Sequence, residues 1–204
     1  VINNGLDIDI FIPYKEIERN PFKLITTASA DVALKGLDYS LKSLASLVND
    51  FPEISLLVIG KMKKGGHTSR LIDELGIKDK VSFKTGLTKE EIAKEYASSS
   101  IAIVSSLYEG FGYPVIEAMS CEVPLIATNV SSIPELVGDY AKLIPAKNAN
   151  ELSNAIRNIL HDYSHYTNIA VRGRQHIVDK FNWLKITEEY ENIISKTIND
   201  FHKC

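Results

Sequence analysis

LITTASADVALKGLDYSLKSLASLVNDFPEISLLVIG, from Leu24 to Gly60, changes its periodicity twice. The β-branched apolar run LITTASA (Leu24 to Ala30) gives way to Leu37, Leu41, Leu44 and Leu47, spaced three and four apart as on one helix face. The apolar run ISLLVIG (Ile54 to Gly60) follows. The order is strand, helix, strand. Strands apolar on both faces and joined by a helix fit a parallel sheet covered on both sides.

The alternation continues downstream. A helix around Ser69 to Leu75 precedes a strand Val81 to Gly86, a helix Lys89 to Ala97 and a strand Ile101 to Ser106. A helix beginning near Pro114, a strand Pro124 to Thr128, a short helix Ile133 to Val137 and a strand Ala141 to Pro145 complete the pattern. The implied fold is α/β, a Rossmann-like doubly wound parallel sheet of about six strands. After Pro145 the chain reads as wholly helical: ELSNAIRNIL, a helix ending near Phe181, then WLKITEEYENIISKTI. The opening VINNGLDIDIFIP reads as a strand end, an Asn-Gly turn and a Pro-bounded connector with nothing before it to pair with.

Bulk properties narrow the function. A 204-residue chain, 45% hydrophobic and 24% charged, has the composition of one globular domain. Its net charge of -3 lacks the concentrated Lys and Arg excess that nucleic-acid backbones require, and the run Lys61-Met-Lys-Lys64 reads as a solvated loop. Cys121 and Cys204 form no CxxC, and His67, His161, His165, His176 and His202 form no spaced ligand set. These features favour a reducing, cytoplasmic compartment and argue against a disulfide framework or a zinc site. No apolar run approaches the ~18 residues of a membrane span. Cys121 and Trp183 read as a small core residue and a packing anchor for the last helix.

The candidate site is SSLYEGFGYPVIEAMSCEVPLIAT, Ser105 to Thr128. In an open parallel sheet, ligands bind beyond the carboxyl ends of the strands, where loops enter helix N-termini. Tyr108 to Tyr113 forms such a loop, and Pro114 suits the start of a helix, where its fixed φ and missing N–H cost nothing. The amides of Gly112 and Tyr113 are then free for phosphate or sugar oxygens. Gly110 and Gly112 permit positive φ and a close approach of ligand, with Phe111 as a wall. Glu117 is expected in the first helical turn, with Glu109 eight residues earlier on the same crevice. A carboxylate is a poor partner for phosphate and a good acceptor for paired hydroxyls. Amides for phosphate and carboxylates for hydroxyls suggest a nucleotide-sugar. Across the crevice, Lys35-Gly36 opens the helix after the first strand and offers an ammonium to the anion.

At this point the chain resembles the C-terminal, donor-binding half of retaining glycosyltransferases of the GT-B fold, family GT4. NGLDIDIF (Asn4 to Phe11) looks like the family's interdomain segment, LKGLDYSLKSLASL its lysine-glycine helix and FPEISLLVIG its next strand. SLYEGFGYPVIEAM is similar to its E-x7-E signature, and FNWLKITEEY looks like its terminal crossing helix. The resemblance implies a linker at 1–20, a nucleotide-sugar-binding domain at 21–180 and a helix at 181–204 that crosses back to an N-terminal domain. It implies Glu109 at the transferred sugar and Lys35 on the diphosphate as catalytic residues. Glu117 would hold the ribose, Phe111, Gly112 and Tyr113 would line sugar and diphosphate beside Gly110 and Pro114, and Leu87 would lie near the base.

The implied substrate is a UDP- or GDP-sugar type donor, used without a metal or other cofactor, with an acceptor glycan or lipid held by the other domain. Peripheral association with the inner face of a membrane is compatible with this role. Two positions depart from the family pattern. Six residues before Lys35, where the family has arginine, stands Ser29. At an effective dielectric near 20, one cation about 4 Å from a phosphate contributes roughly 4 kcal/mol. Glu122 stands where glycine commonly precedes Val-Pro. A non-catalytic binding module with the same fold is the alternative reading, motivated by Ser29.

Overall fold

The computed structural model describes residues 2–29 and 31–201; Ala30, His202 and Cys204 lie outside them. The central feature is a six-stranded, all-parallel sheet. It comprises β1 (Asn20–Thr27), β2 (Ser55–Ile59), β3 (Val81–Lys84), β4 (Ser99–Val104), β5 (Leu125–Thr128) and β6 (Lys142–Ile144), in the order β3-β2-β1-β4-β5-β6. In register, Leu24 faces Leu56 on one side and Ile101 on the other, which fixes β1 and β4 at the centre.

Alternation of side chains supplies two cores. Leu24, Leu56, Val58, Ile101, Ile103 and Ile126 point to one face. There they meet α1 (Leu37–Leu47), α2 (His67–Glu74) and α6 (Ala149–His161) through Leu41, Leu44, Leu47, Ile72 and Ile156. Ile25, Leu57, Ala102, Val104 and Leu125 point to the other. That face is covered by α3 (Lys89–Ala97), α4 (Tyr113–Ser120), α5 (Ile133–Val137) and α7 (Tyr163–Phe181). Every residue of β4 is buried. Removing a side chain such as Leu44 from water contributes about 1.5–3 kcal/mol, and these leucine and isoleucine layers are the main source of stability.

Because the connections through α1 and α2 run from β1 toward one edge and those after β4 run toward the other, the chain direction reverses between β1 and β4. That reversal opens a crevice at their carboxyl ends. The loops lining it follow Thr27 and Val104.

Residues 2–19 form no strand or helix, yet they are held against the body. Leu6 and Phe11 are buried, Leu6 N donates to Phe181 O at 2.7 Å, and Leu6 pairs in parallel with Asn182. The opening segment finds its partner far along the chain. Gly5 is required there, since a Cβ would meet the Trp183 ring at 2.4 Å. α8 (Trp183–Phe201) buries Ile186 and then leaves the body. From Thr187 to Asp200 each residue is exposed, including Tyr190, Ile193, Ile194 and Ile198 at helical spacing. Among the described residues no helix is long and apolar enough to cross a membrane.

Candidate functional site

Lys35 and Glu109 come from the two loops that flank the reversal point. After β1 the chain makes a short 3₁₀ turn at Ala33–Lys35 and enters α1 through Gly36, at φ 63°. A Cβ on Gly36 would lie 1.9 Å from Ser105 O, so only glycine lets the two loops touch. The contact is closed by hydrogen bonds: Ser105 Oγ donates to Gly36 O at 2.9 Å, Ser40 Oγ donates to Ser105 Oγ at 3.0 Å, and Leu107 N donates to Leu34 O at 2.7 Å. Lys35 Nζ then sits 2.9 and 2.8 Å from the two oxygens of Glu109. Glu109 is almost wholly buried, so this two-point ion pair is what keeps a carboxylate in the wall of the crevice.

The backbone of the Glu109 loop is fixed by Ser132, whose hydroxyl donates to Phe111 O at 2.7 Å and to Glu109 O at 3.1 Å. Phe111 is half-buried, edge-on to Tyr113 and Phe181. Gly112 caps α4 at φ 109°, where a Cβ would press on Leu136 at 2.9 Å. Gly110 differs from its sequence expectation: its φ is not positive and a Cβ there would meet open space, so its backbone does not demand glycine. Pro114 is the second residue of α4, and Tyr113 is exposed beside it. A cleft of about 450 Å³ opens beside Gly110 and Phe111, between Asn4, Ser132, Glu135 and Lys180.

Glu117 lies in the second turn of α4, not the first, because the helix begins at Tyr113. Its surroundings are unlike those of Glu109. Burial pushes its carboxyl up to about 7, and the hydroxyl of Tyr96 and the charge of Lys89 only partly offset this. Tyr96 Oη is 3.5 Å from Glu117 Oε2 and 3.0 Å from Thr27 Oγ1. Lys89 is ion-paired with Asp7 of the opening segment. It begins α3 directly after Thr88, which caps the helix in a reciprocal pair with Glu91. Leu87, half-buried, precedes that cap on the loop after β3.

Ser29 is exposed on the β1–α1 loop. That loop is stapled to the start of α2: Asp31 N donates to Thr68 Oγ1 at 3.1 Å and Thr68 N donates to Asp31 Oδ1 at 2.8 Å. The exposed Lys61, Lys63 and Lys64 belong to the loop that enters α2. The structure thus brings Lys35, Glu109 and the α4 N-terminus together and sets Glu117 one turn deeper. Sequence reasoning passed over Ser105, Ser132 and Tyr96; only their place beside strand ends and helix starts could have flagged them.

The family model described as Glycosyl transferases group 1 matches residues 11–176. The chain belongs to that family. This group 1 chain is 33% identical to the MMP alpha-(1->4)-mannosyltransferase of Mycolicibacterium hassiacum, over 100% of its own length and 50% of that protein's. Its backbone matches a sucrose-phosphate synthase from Thermosynechococcus elongatus with a TM-score of 0.86 at 24% identity, covering 98% of this chain and 52% of that one. It matches Anabaena HepE, solved in complex with UDP and glucose, with a TM-score of 0.84 at 20% identity over 96% and 57% of the two chains. The group 1 chain spans about half the length of these relatives. Its fold is the Rossmann-like half of a GT-B glycosyltransferase.

Proposed function

We propose that this chain is the donor-binding half of a retaining glycosyltransferase that moves a sugar from a nucleotide-sugar to an acceptor without a metal ion. The observation that carries the reading is the buried two-point ion pair of Lys35 and Glu109 at the reversal of the sheet, with the α4 N-terminus beside it and Glu117 behind. A diphosphate entering the crevice competes with Glu109 for the Lys35 ammonium and takes the Gly112 and Tyr113 amides. Glu109, released from Lys35, accepts hydrogen bonds from the sugar hydroxyls. Glu117 holds the ribose hydroxyls, Leu87 lies toward the base, and Lys35 with the helix N-terminus supplies the positive potential that a metal would otherwise provide. In the transfer, the sugar C1–O bond to diphosphate breaks and a C1–O bond to the acceptor forms on the same face. The acceptor proton goes to the departing phosphate oxygen, so no side chain of this chain acts as general base.

The acceptor, a glycan or lipid, would be held by an N-terminal domain that α8 and the opening segment face, with a domain boundary near residue 20. Cytoplasmic location, including association with the inner face of a membrane, suits such an enzyme. The decisive experiment supplies UDP-, GDP- and ADP-sugars in EDTA to the full enzyme that contains this chain and measures transfer and hydrolysis. Selective use of one donor is expected, and neither reaction with any donor would sink the proposal. The uncharged Ser29 favours one second reading, a binding module without turnover. Ser29→Arg would then restore turnover, whereas for an active enzyme it changes little.

A further inference from the structure

Tyr96 reaches both walls of the crevice from beneath. It is 1% exposed, near the end of α3, and a hydroxyl at that depth must have a partner. Its oxygen lies 3.0 Å from Thr27 Oγ1 at the carboxyl end of β1, 3.4 Å from Pro114 O in the first turn of α4, and 3.5 Å from Glu117 Oε2. A helical carbonyl such as that of Pro114 is already engaged by the amide four residues on. Of the two acceptors in reach, the carboxylate is the charged one and so the stronger partner for the phenolic proton, and Thr27 can donate into the phenol from the other side.

Resting on the donor-binding reading above, we propose that Tyr96 is a positioning residue for the nucleotide ribose, one that aims the Glu117 carboxyl into the crevice. The groups that face Glu117 are few. α3 presents Tyr96 and Lys89, the latter tied to Asp7; α4 itself adds Cys121 one turn on, fully buried and with its thiol pushed far above the usual range by burial. Only Tyr96 and Lys89 favour the charged carboxylate, against a burial cost that holds its titration near 7. Loss of the phenol hydroxyl raises that titration further and frees the carboxylate to turn. A neutral carboxyl that donates one hydrogen bond cannot accept from two adjacent hydroxyls in the same way.

The test is calorimetric titration of this chain with UDP, GDP and ADP and their 2′-deoxy forms between pH 6 and 9, for wild type, Tyr96→Phe, Thr27→Val and Glu117→Gln. Wild type should bind one nucleotide more tightly as pH rises through about 7 and should prefer it to the 2′-deoxy form. Tyr96→Phe should bind about 5- to 10-fold more weakly at pH 7, move the midpoint to higher pH and lose most of the ribose preference. Thr27→Val should do the same by about 2- to 3-fold. Glu117→Gln should flatten the pH dependence. A Tyr96→Phe protein that keeps both midpoint and ribose preference, whatever its melting temperature, overturns the proposal and leaves Tyr96 a core residue. If Tyr96→Phe fails to fold, an unchanged midpoint in Thr27→Val overturns it equally. Wild type that binds no nucleotide at any pH defeats the donor reading itself, a result distinct from either.

Discussion

Two carboxylates eight residues apart stand in the same crevice and are kept in opposite ways. Glu109, in the loop after β4, is nearly inaccessible and is held in place by two short contacts to Lys35. Glu117, a turn and a half into α4, has only a phenol at the limit of hydrogen bonding and a more distant ammonium. On the donor-binding reading, the first is satisfied before any ligand arrives and would be taken apart to act, whereas the second would be completed by a ligand offering two hydroxyls. The site would then hold a pair that binding breaks and a group that binding repairs.

The largest effect expected from this contrast is on the Glu109 side. Lys35→Ala should reduce turnover of the full enzyme by roughly 10²- to 10³-fold, the scale seen when a group stabilising developing charge is removed. A double-mutant cycle with Glu109→Gln, read by denaturant unfolding, should give a coupling of about 1–3 kcal/mol. A coupling near zero would erase the difference between the two carboxylates. Gly36→Ala attacks the same side through the backbone. With a Cβ driven onto Ser105 O and φ at 63°, a loss of about 2–3 kcal/mol in unfolding free energy is expected, with Lys35 displaced from Glu109.

Glu117 yields smaller effects of the opposite sign. Its carboxyl titrates near 7 in the folded chain and near 4.5 when unfolded, so between these values the folded state binds more protons. Stability from this group is intact below about pH 4.5 and is lost as pH rises through 7. Glu117→Gln should consequently leave the unliganded melting temperature unchanged near pH 4.5 and raise stability by roughly 1–2 kcal/mol at pH 8, while weakening donor affinity about 10-fold. Destabilisation at pH 8 would mean that Glu117 is already satisfied without ligand. The control lies just past α4. Glu122 takes φ 55°, the left-handed conformation that glycine favours, which accounts for the glycine common at this position in the family. Glu122→Gly should shift unfolding by no more than about 1 kcal/mol, in the stabilising direction, and leave donor affinity unchanged.

The sheet was legible because its evidence is local. β-branched runs, leucine spacing and Gly-Pro punctuation specify each element, and alternation of strand with helix then restricts the topology. That Lys35 and Glu109 flank one crevice was legible because each sits on a loop leaving a central strand. Their mutual ion pair was not, since nothing in either segment tells how far each side chain reaches across the crevice. Glu117 was assigned one turn too early because the helix is capped by Gly112 and opens at Tyr113, one residue ahead of the expected start at Pro114. Tyr96 was invisible for another reason. In KEEIAKEYA it occupies an ordinary apolar-face position, and only tertiary packing reveals that its oxygen ends between β1 and α4. The partner of Leu6 in the opening segment is Asn182, 176 residues downstream (182 − 6), beyond any local pattern.

The exposed stretch of α8 has a consequence for the time course of isotope labelling. An isolated helix of this length is marginal in water, and from Thr187 to Asp200 none of its residues is covered by the body. The β4 amides open only when the whole sheet does. Deuterium should therefore enter α8 many orders of magnitude sooner than β4. Any protein surface that settles on Tyr190, Ile193 and Ile198 would announce itself as a delay in that uptake, with no change at the sheet.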